Sequence, residues 1–150
     1  MITNEHQYHL TRFQIAQFEQ ALQQYNANNL HEIEPLHPLL QRAEREALQS
    51  QLDSLQAELN TYESLQNGQH SFILQSFAEL PQTLIRARIA SGITQKQLAN
   101  RLGLQERQIH HYEATEYASA NLQRILNVLQ ALGLEMHESI TLTETFRKEG

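Results

Sequence analysis

The chain has 150 residues, enough for one ordinary domain or a small domain with an extension, and its lack of cysteine excludes disulfides and thiolate metal sites. No run approaches the roughly 18 apolar residues of a membrane span, and no charged start with an apolar core marks a secretory signal, so a cytoplasmic protein is expected. The formal charge of −6 argues at first against a nucleic-acid partner.

The first predicted helix covers about 4–26, with Ile15, Phe18, Leu22 and Tyr25 as one apolar stripe. Thr11 and Gln14 have capping-box spacing, so this stretch is expected as one helix or as two broken near Leu10. His6 and His9 share a helical face, but no carboxylate cluster joins them, and no metal site is expected. A connection over 26–38 contains Pro35 and Pro38. The next helix, about 39–66, places Leu48, Leu52, Leu55, Leu59 and Tyr62 at spacings of 4, 3, 4 and 3. That is the seam of a coiled coil or helical hairpin, packing either on the first stripe or on a second copy.

Ser71–Leu80 carries Phe72, Ile73, Leu74 and Phe77 and is expected to be buried. Pro81–Ser91 predicts a helix with Leu84, Ile85 and Ile89 toward a core, Pro81 lying in its first turn. Thr94–Glu113, TQKQLANRLGLQERQIHHYE, follows. Thr94 can cap a helix whose apolar side is Leu98, Ala99 and Leu102, and Gly103 can end it in the left-handed conformation. A second helix then buries Ile109 and Tyr112, and the small Ala99 lets the two helices cross closely. Gln105, Glu106, Arg107, Gln108, His110 and His111 are left outward, and Gln and Arg are side chains that bond base edges through two atoms at once. This is the pattern of a DNA-reading helix-turn-helix.

Charge supports that reading. Residues 80–133 hold six basic against three acidic side chains, whereas residues 1–79 hold three against ten and residues 134–150 hold two against four. A basic reader is attached to an acidic module. Asn121–Leu132 predicts another helix, through Leu122, Ile125, Leu126, Leu129 and Leu132. Beyond Gly133, the apolar positions Leu134, Met136, Ile140 and Leu142 have the two-residue period of a strand. A lone strand leaves its backbone unpaired, so this one needs a partner.

From about Leu80 to Leu134, with LPQTLIRARIASGIT before the motif and ASANLQRILNVLQALGL after it, the chain resembles the XRE (lambda-repressor-like) helix-turn-helix family. With NEHQYHLTRFQIAQFEQAL and LQAELNTYESLQNG included, it resembles HigA-like antitoxins and related regulators. The implied fold is all-α: an N-terminal helical hairpin or coiled coil over 1–70, a five-helix-type helix-turn-helix domain over 71–133, and a strand and tail over 134–150.

The resemblance also implies roles. Gln105, Glu106, Arg107 and His111 become the base-reading candidates, Arg107 foremost as a fork donor to guanine. Glu106 stands where glutamine is commoner; it can accept from a cytosine amino group or repel phosphate. Gln95 would hold a phosphate through its amide at a helix N-terminus. Lys96, Arg101, Arg124 and His110 are further phosphate candidates, with plain solvation as the alternative for each. Arg88 and Glu113 match positions that form a structural ion pair.

No enzyme motif is present: no Gly-rich phosphate loop, no HExxH, no serine elbow and no cysteine. No cofactor is expected. The resemblance implies a homodimeric, sequence-specific repressor on a pseudo-palindromic duplex. The antitoxin likeness adds control of its own operon and an RNase toxin as partner. A stand-alone phage-type or metabolic repressor, and a protein-interaction adaptor that reads no DNA, are the competing readings.

Overall fold

The computed structural model describes residues 1–28, 38–68 and 71–137. The first helix, α1 (Glu5–Asn28), is continuous. Asn4 caps it, accepting the Gln7 N–H at 2.9 Å, while Gln7 Oε1 accepts the Thr3 N–H at 2.8 Å. Thr11 caps nothing; it is buried on the inner face, so the alternative of a break near Leu10 does not hold.

The second helix, α2 (Pro38–Asn67), runs antiparallel to α1. The Tyr8 hydroxyl donates to Glu63 at 2.7 Å near one end, and the Tyr25 hydroxyl donates to the Gln41 carbonyl at 2.7 Å near the other. Between these ties Ile15, Leu22 and Leu52 are buried, with Phe18, Leu48, Leu55 and Leu59 packed around them. The α2 seam thus lies on the α1 stripe within one chain. At about 1.5–3 kcal/mol for each fully buried large apolar side chain, so small a cluster is a thin core for two long helices. The hairpin gains a second attachment because Ile2, Tyr62 and Leu65 belong to the main core.

That core lies in the second half of the chain. A 3-10 turn (Phe77–Glu79) leads into α3 (Leu80–Ala90), α4 (Gln95–Leu102), α5 (Glu106–Ala114) and α6 (Leu122–Ala131). Leu84, Ile85, Leu98, Ile109 and Val128 are its most deeply buried large side chains, and Ala99 is buried beside them. Thr94 and Gln97 form a reciprocal capping box on α4, with bonds of 3.1 and 2.9 Å. Gly103 ends α4 at φ +66°, a conformation that a side chain would strain. The chain then turns at once into α5, and the Leu104 N–H donates to the Ala99 carbonyl at 2.8 Å. Asn121 caps α6 through the Arg124 N–H at 2.8 Å.

Four expectations change. The 71–80 segment is only partly buried: Phe72 and Leu74 pack on the core, whereas Ile73 is 86% exposed and Phe77 is exposed as well. Residues 71–74 have no helical turn, and side chains that alternate along such backbone cannot all face inward. Leu122 (59% exposed) and Leu126 stand outside the core, because α6 packs through Ile125, Val128, Leu129 and Leu132. No strand occurs among the described residues: Leu134 packs on the core and 134–137 form no regular element. The remainder of the expected strand, 138–142, lies outside the described residues. The expected five-helix-type domain, 71–133, is instead four α-helices and a 3-10 turn.

Candidate nucleic-acid interface

The interface rests on a buried polar cluster. Helical spacing turns Arg88 of α3 and Glu113 of α5 inward, each 3% exposed. Arg88 Nε donates to one carboxylate oxygen at 2.5 Å and Nη2 to the other at 2.8 Å, the two-bond fork that only a guanidinium can make. Arg88 Nη1 donates to the Ile93 carbonyl at 2.8 Å, and Nη2 also donates to the Thr3 carbonyl at 2.5 Å. Gln95 Nε2 gives Glu113 a further donor at 2.7 Å. Asn4 Nδ2 reaches Gln95 Oε1 at 3.4 Å. A buried ion pair offsets its desolvation only when its remaining donors and acceptors are satisfied, and here neighbours from the segment before α1, the α3–α4 turn and α4 satisfy them.

The pair holds α5 by its C-terminal half and leaves the first half outward. Glu106, Arg107 and His110 are exposed there, and with Thr94 and Gln95 they line one side of a cleft of about 690 Å³. The opposite side is the start of α1, Asn4–Gln7, with Tyr62 and Gln66 of α2. Gln105 is the exposed N-cap of α5, and its N–H donates to Gln108 Oε1 at 3.0 Å, so the Gln108 side chain is engaged at the helix start. His111 is exposed but does not line the cleft.

The phosphate candidates separate. Lys96 is exposed at the start of α4. Arg101 Nη1 donates to the Ala131 carbonyl at 2.8 Å, tying α4 to the end of α6. Arg124 is half-buried in the first turn of α6. Gln95, expected to face a phosphate, is instead 5% exposed and bonded on both sides, because the Glu113 carboxylate draws its amide inward.

Sequence reasoning missed Thr3 and Asn4. Read locally they are only a helix start, and their partners lie 85 and 91 residues away, beyond any periodic pattern. It also missed the turn after α5, where Glu116 and Tyr117 both take positive φ, 47° and 58°. That turn brings the Tyr117 ring parallel to Tyr112 at 5.9 Å. The Tyr117 hydroxyl is buried without a hydrogen-bond partner among the described residues. Burial pushes its pKa up, and the nearby Glu113 charge adds to the rise.

Among the described residues no group of His, Asp or Glu side chains could hold a metal ion, and no helix is long and apolar enough to cross a membrane. No curated protein and no solved structure matches the chain. Residues 84–139 do match the family model described as Helix-turn-helix, which supports an XRE-type, DNA-binding regulator.

Proposed function

We propose that the protein is a dimeric, sequence-specific repressor, and that it acts as the antitoxin of a type II toxin–antitoxin pair. The observation carrying the DNA-reading part is the exposed first half of α5, with Arg107 and His110 free to face a groove while Arg88 and Glu113 anchor the helix from behind. Gln105, Glu106, Arg107 and His111 read bases; Lys96, His110, Arg124 and Arg101 contact phosphates, the last through donors not already engaged. Two copies on a two-fold axis would set their α5 helices about 34 Å apart on a pseudo-palindrome.

The antitoxin part rests on the family likeness and on charge. Residues 1–79, with three basic and ten acidic side chains, suit a basic ribonuclease as partner. A stand-alone repressor would carry the same reader without that partner.

The test is a titration of the purified protein with duplex DNA from upstream of its own gene, at several salt concentrations. Affinity should fall as salt rises, by a slope that counts the phosphates contacted, and exceed that for scrambled duplex. Absence of binding at low salt overturns the reading in favour of a protein-interaction adaptor. A small basic neighbouring gene product that this protein silences separates the antitoxin from the stand-alone repressor.

A further inference from the structure

We propose that the segment Thr3–Gln7 is a cover over part of the DNA-reading face, which must swing away before duplex DNA can seat fully against α4 and α5. The inference rests on the DNA-reading function proposed above. It begins from what that segment touches. The Thr3 carbonyl takes an Arg88 N–H and Asn4 takes the Gln95 side-chain oxygen, so polar groups beside the start of α4 are satisfied from within the chain. Gln95 opens an eight-residue helix whose N-terminal end favours an anion, yet it is shielded from solvent.

The second observation concerns the recognition helix itself. The outward face of α5 looks into a cleft whose far wall is the first turn of α1. Glu5 of that turn and Glu106 line the same cleft as Arg107. Both repel phosphate, and a carboxylate near Arg107 competes for the cation that a base or phosphate would use.

The third observation is where the cover is fastened. Before it, Ile2 is buried beside Tyr62 and Leu65 and the Met1 amino group pairs with Glu58 at 3.3 Å; after it, the Tyr8 hydroxyl donates to Glu63 at 2.7 Å. One charge-assisted bond holds Thr3, and the Asn4–Gln95 bond is long at 3.4 Å. From Tyr8 onward α1 stays docked on α2, through the Tyr8 contacts with Glu63 and Tyr62 and through Ile15 and Leu22. The first turn can therefore release while the hairpin remains folded, which is what a displaceable cover requires.

The experiment uses the full chain and a fluorescein-labelled duplex of the upstream region, comparing the native protein with Asn4→Ala and Glu5→Gln. Glu19→Gln, on an exposed α1 position outside the cleft, controls for simple loss of a negative charge. Both cover variants should tighten binding by roughly 3- to 10-fold beyond the control, the factor by which the open fraction rises. Hydrogen exchange of residues 2–8 should quicken when duplex is added. Affinities equal to the control, or slower exchange of residues 2–8 in the complex, overturn the cover and make the segment a bystander or part of the interface. In those cases the native protein still binds duplex, so the DNA-reading function stands. If neither native nor variant protein binds duplex at low salt, that function falls and the cover falls with it.

Discussion

Replacing Arg88 with alanine removes a guanidinium that makes four hydrogen bonds, two to Glu113 and one each to the Ile93 and Thr3 carbonyls. It strands the Glu113 carboxylate, 3% exposed, with Gln95 as its remaining donor. Breaking one side of a buried pair costs about 3–5 kcal/mol, and Arg88→Ala belongs toward the upper end because the carbonyls lose their donor too. Against a total of roughly 5–15 kcal/mol for a domain, this leaves the reader marginal. Glu113→Ala is expected to cost less, since its orphaned guanidinium keeps two carbonyl acceptors.

The double variant has no stranded charge, so its loss should fall short of the summed single losses by about 2–3 kcal/mol. The chain has no tryptophan, so urea unfolding followed by far-UV circular dichroism is the suitable assay, with equal m-values as the check that one transition is compared. A coupling within about 0.5 kcal/mol of zero would refute the pair as a stabilising unit. A larger loss for Glu113→Ala than for Arg88→Ala would refute the role given to the two carbonyls.

Arg107→Ala should weaken operator binding by about 1–3 kcal/mol and relax preference at one base pair; an unchanged footprint and base preference removes Arg107 from the reading set. Ending the chain at Leu134 should retain the helices by circular dichroism, shift sedimentation toward monomer and weaken operator binding, since linkage of two half-sites is worth an effective concentration of roughly millimolar order. An unchanged dimer would direct attention to the exposed Leu122 and Leu126 of α6. Tyr117 has a folded-state pKa above its unfolded one, so its contribution is intact below about pH 10 and lost as pH rises beyond it. Tyr117→Phe should therefore unfold less readily in alkali than the native chain while being at least as stable at neutral pH, as an unpaired buried hydroxyl is removed. Identical alkaline unfolding curves would show that Tyr117 does not govern that transition.

Much of this architecture could be read from local pattern because its causes are local. The Thr94 cap, the Gly103 stop and the buried positions Leu98, Ala99 and Ile109 all lie within one or two helical turns of each other. A periodic apolar face, a cap and a left-handed glycine act through the nearest few residues, so their spacing alone places α4 and α5. The 4, 3, 4, 3 seam of α2 likewise announced a helix that must bury one side, but not against what. The same seam suits a second copy or a neighbouring helix, and only the tertiary fold lays it on Ile15 and Leu22 of its own chain.

The polar cluster marks the same boundary. Family likeness paired Arg88 with Glu113, whereas Thr3 and Asn4 reach that cluster from 85 and 91 residues away. No periodicity encodes such contacts, since they depend on how α1 and α2 dock on the reader. That docking is decided by the summed burial of Ile2, Tyr62 and Leu65 together with satisfaction of a buried charge. The sequence by itself determined that a helix-turn-helix is present and which of its faces is polar. Only the tertiary structure decided that the acidic helical module stands at the edge of that face, because the position of one rigid element against another is a property of the whole packed core.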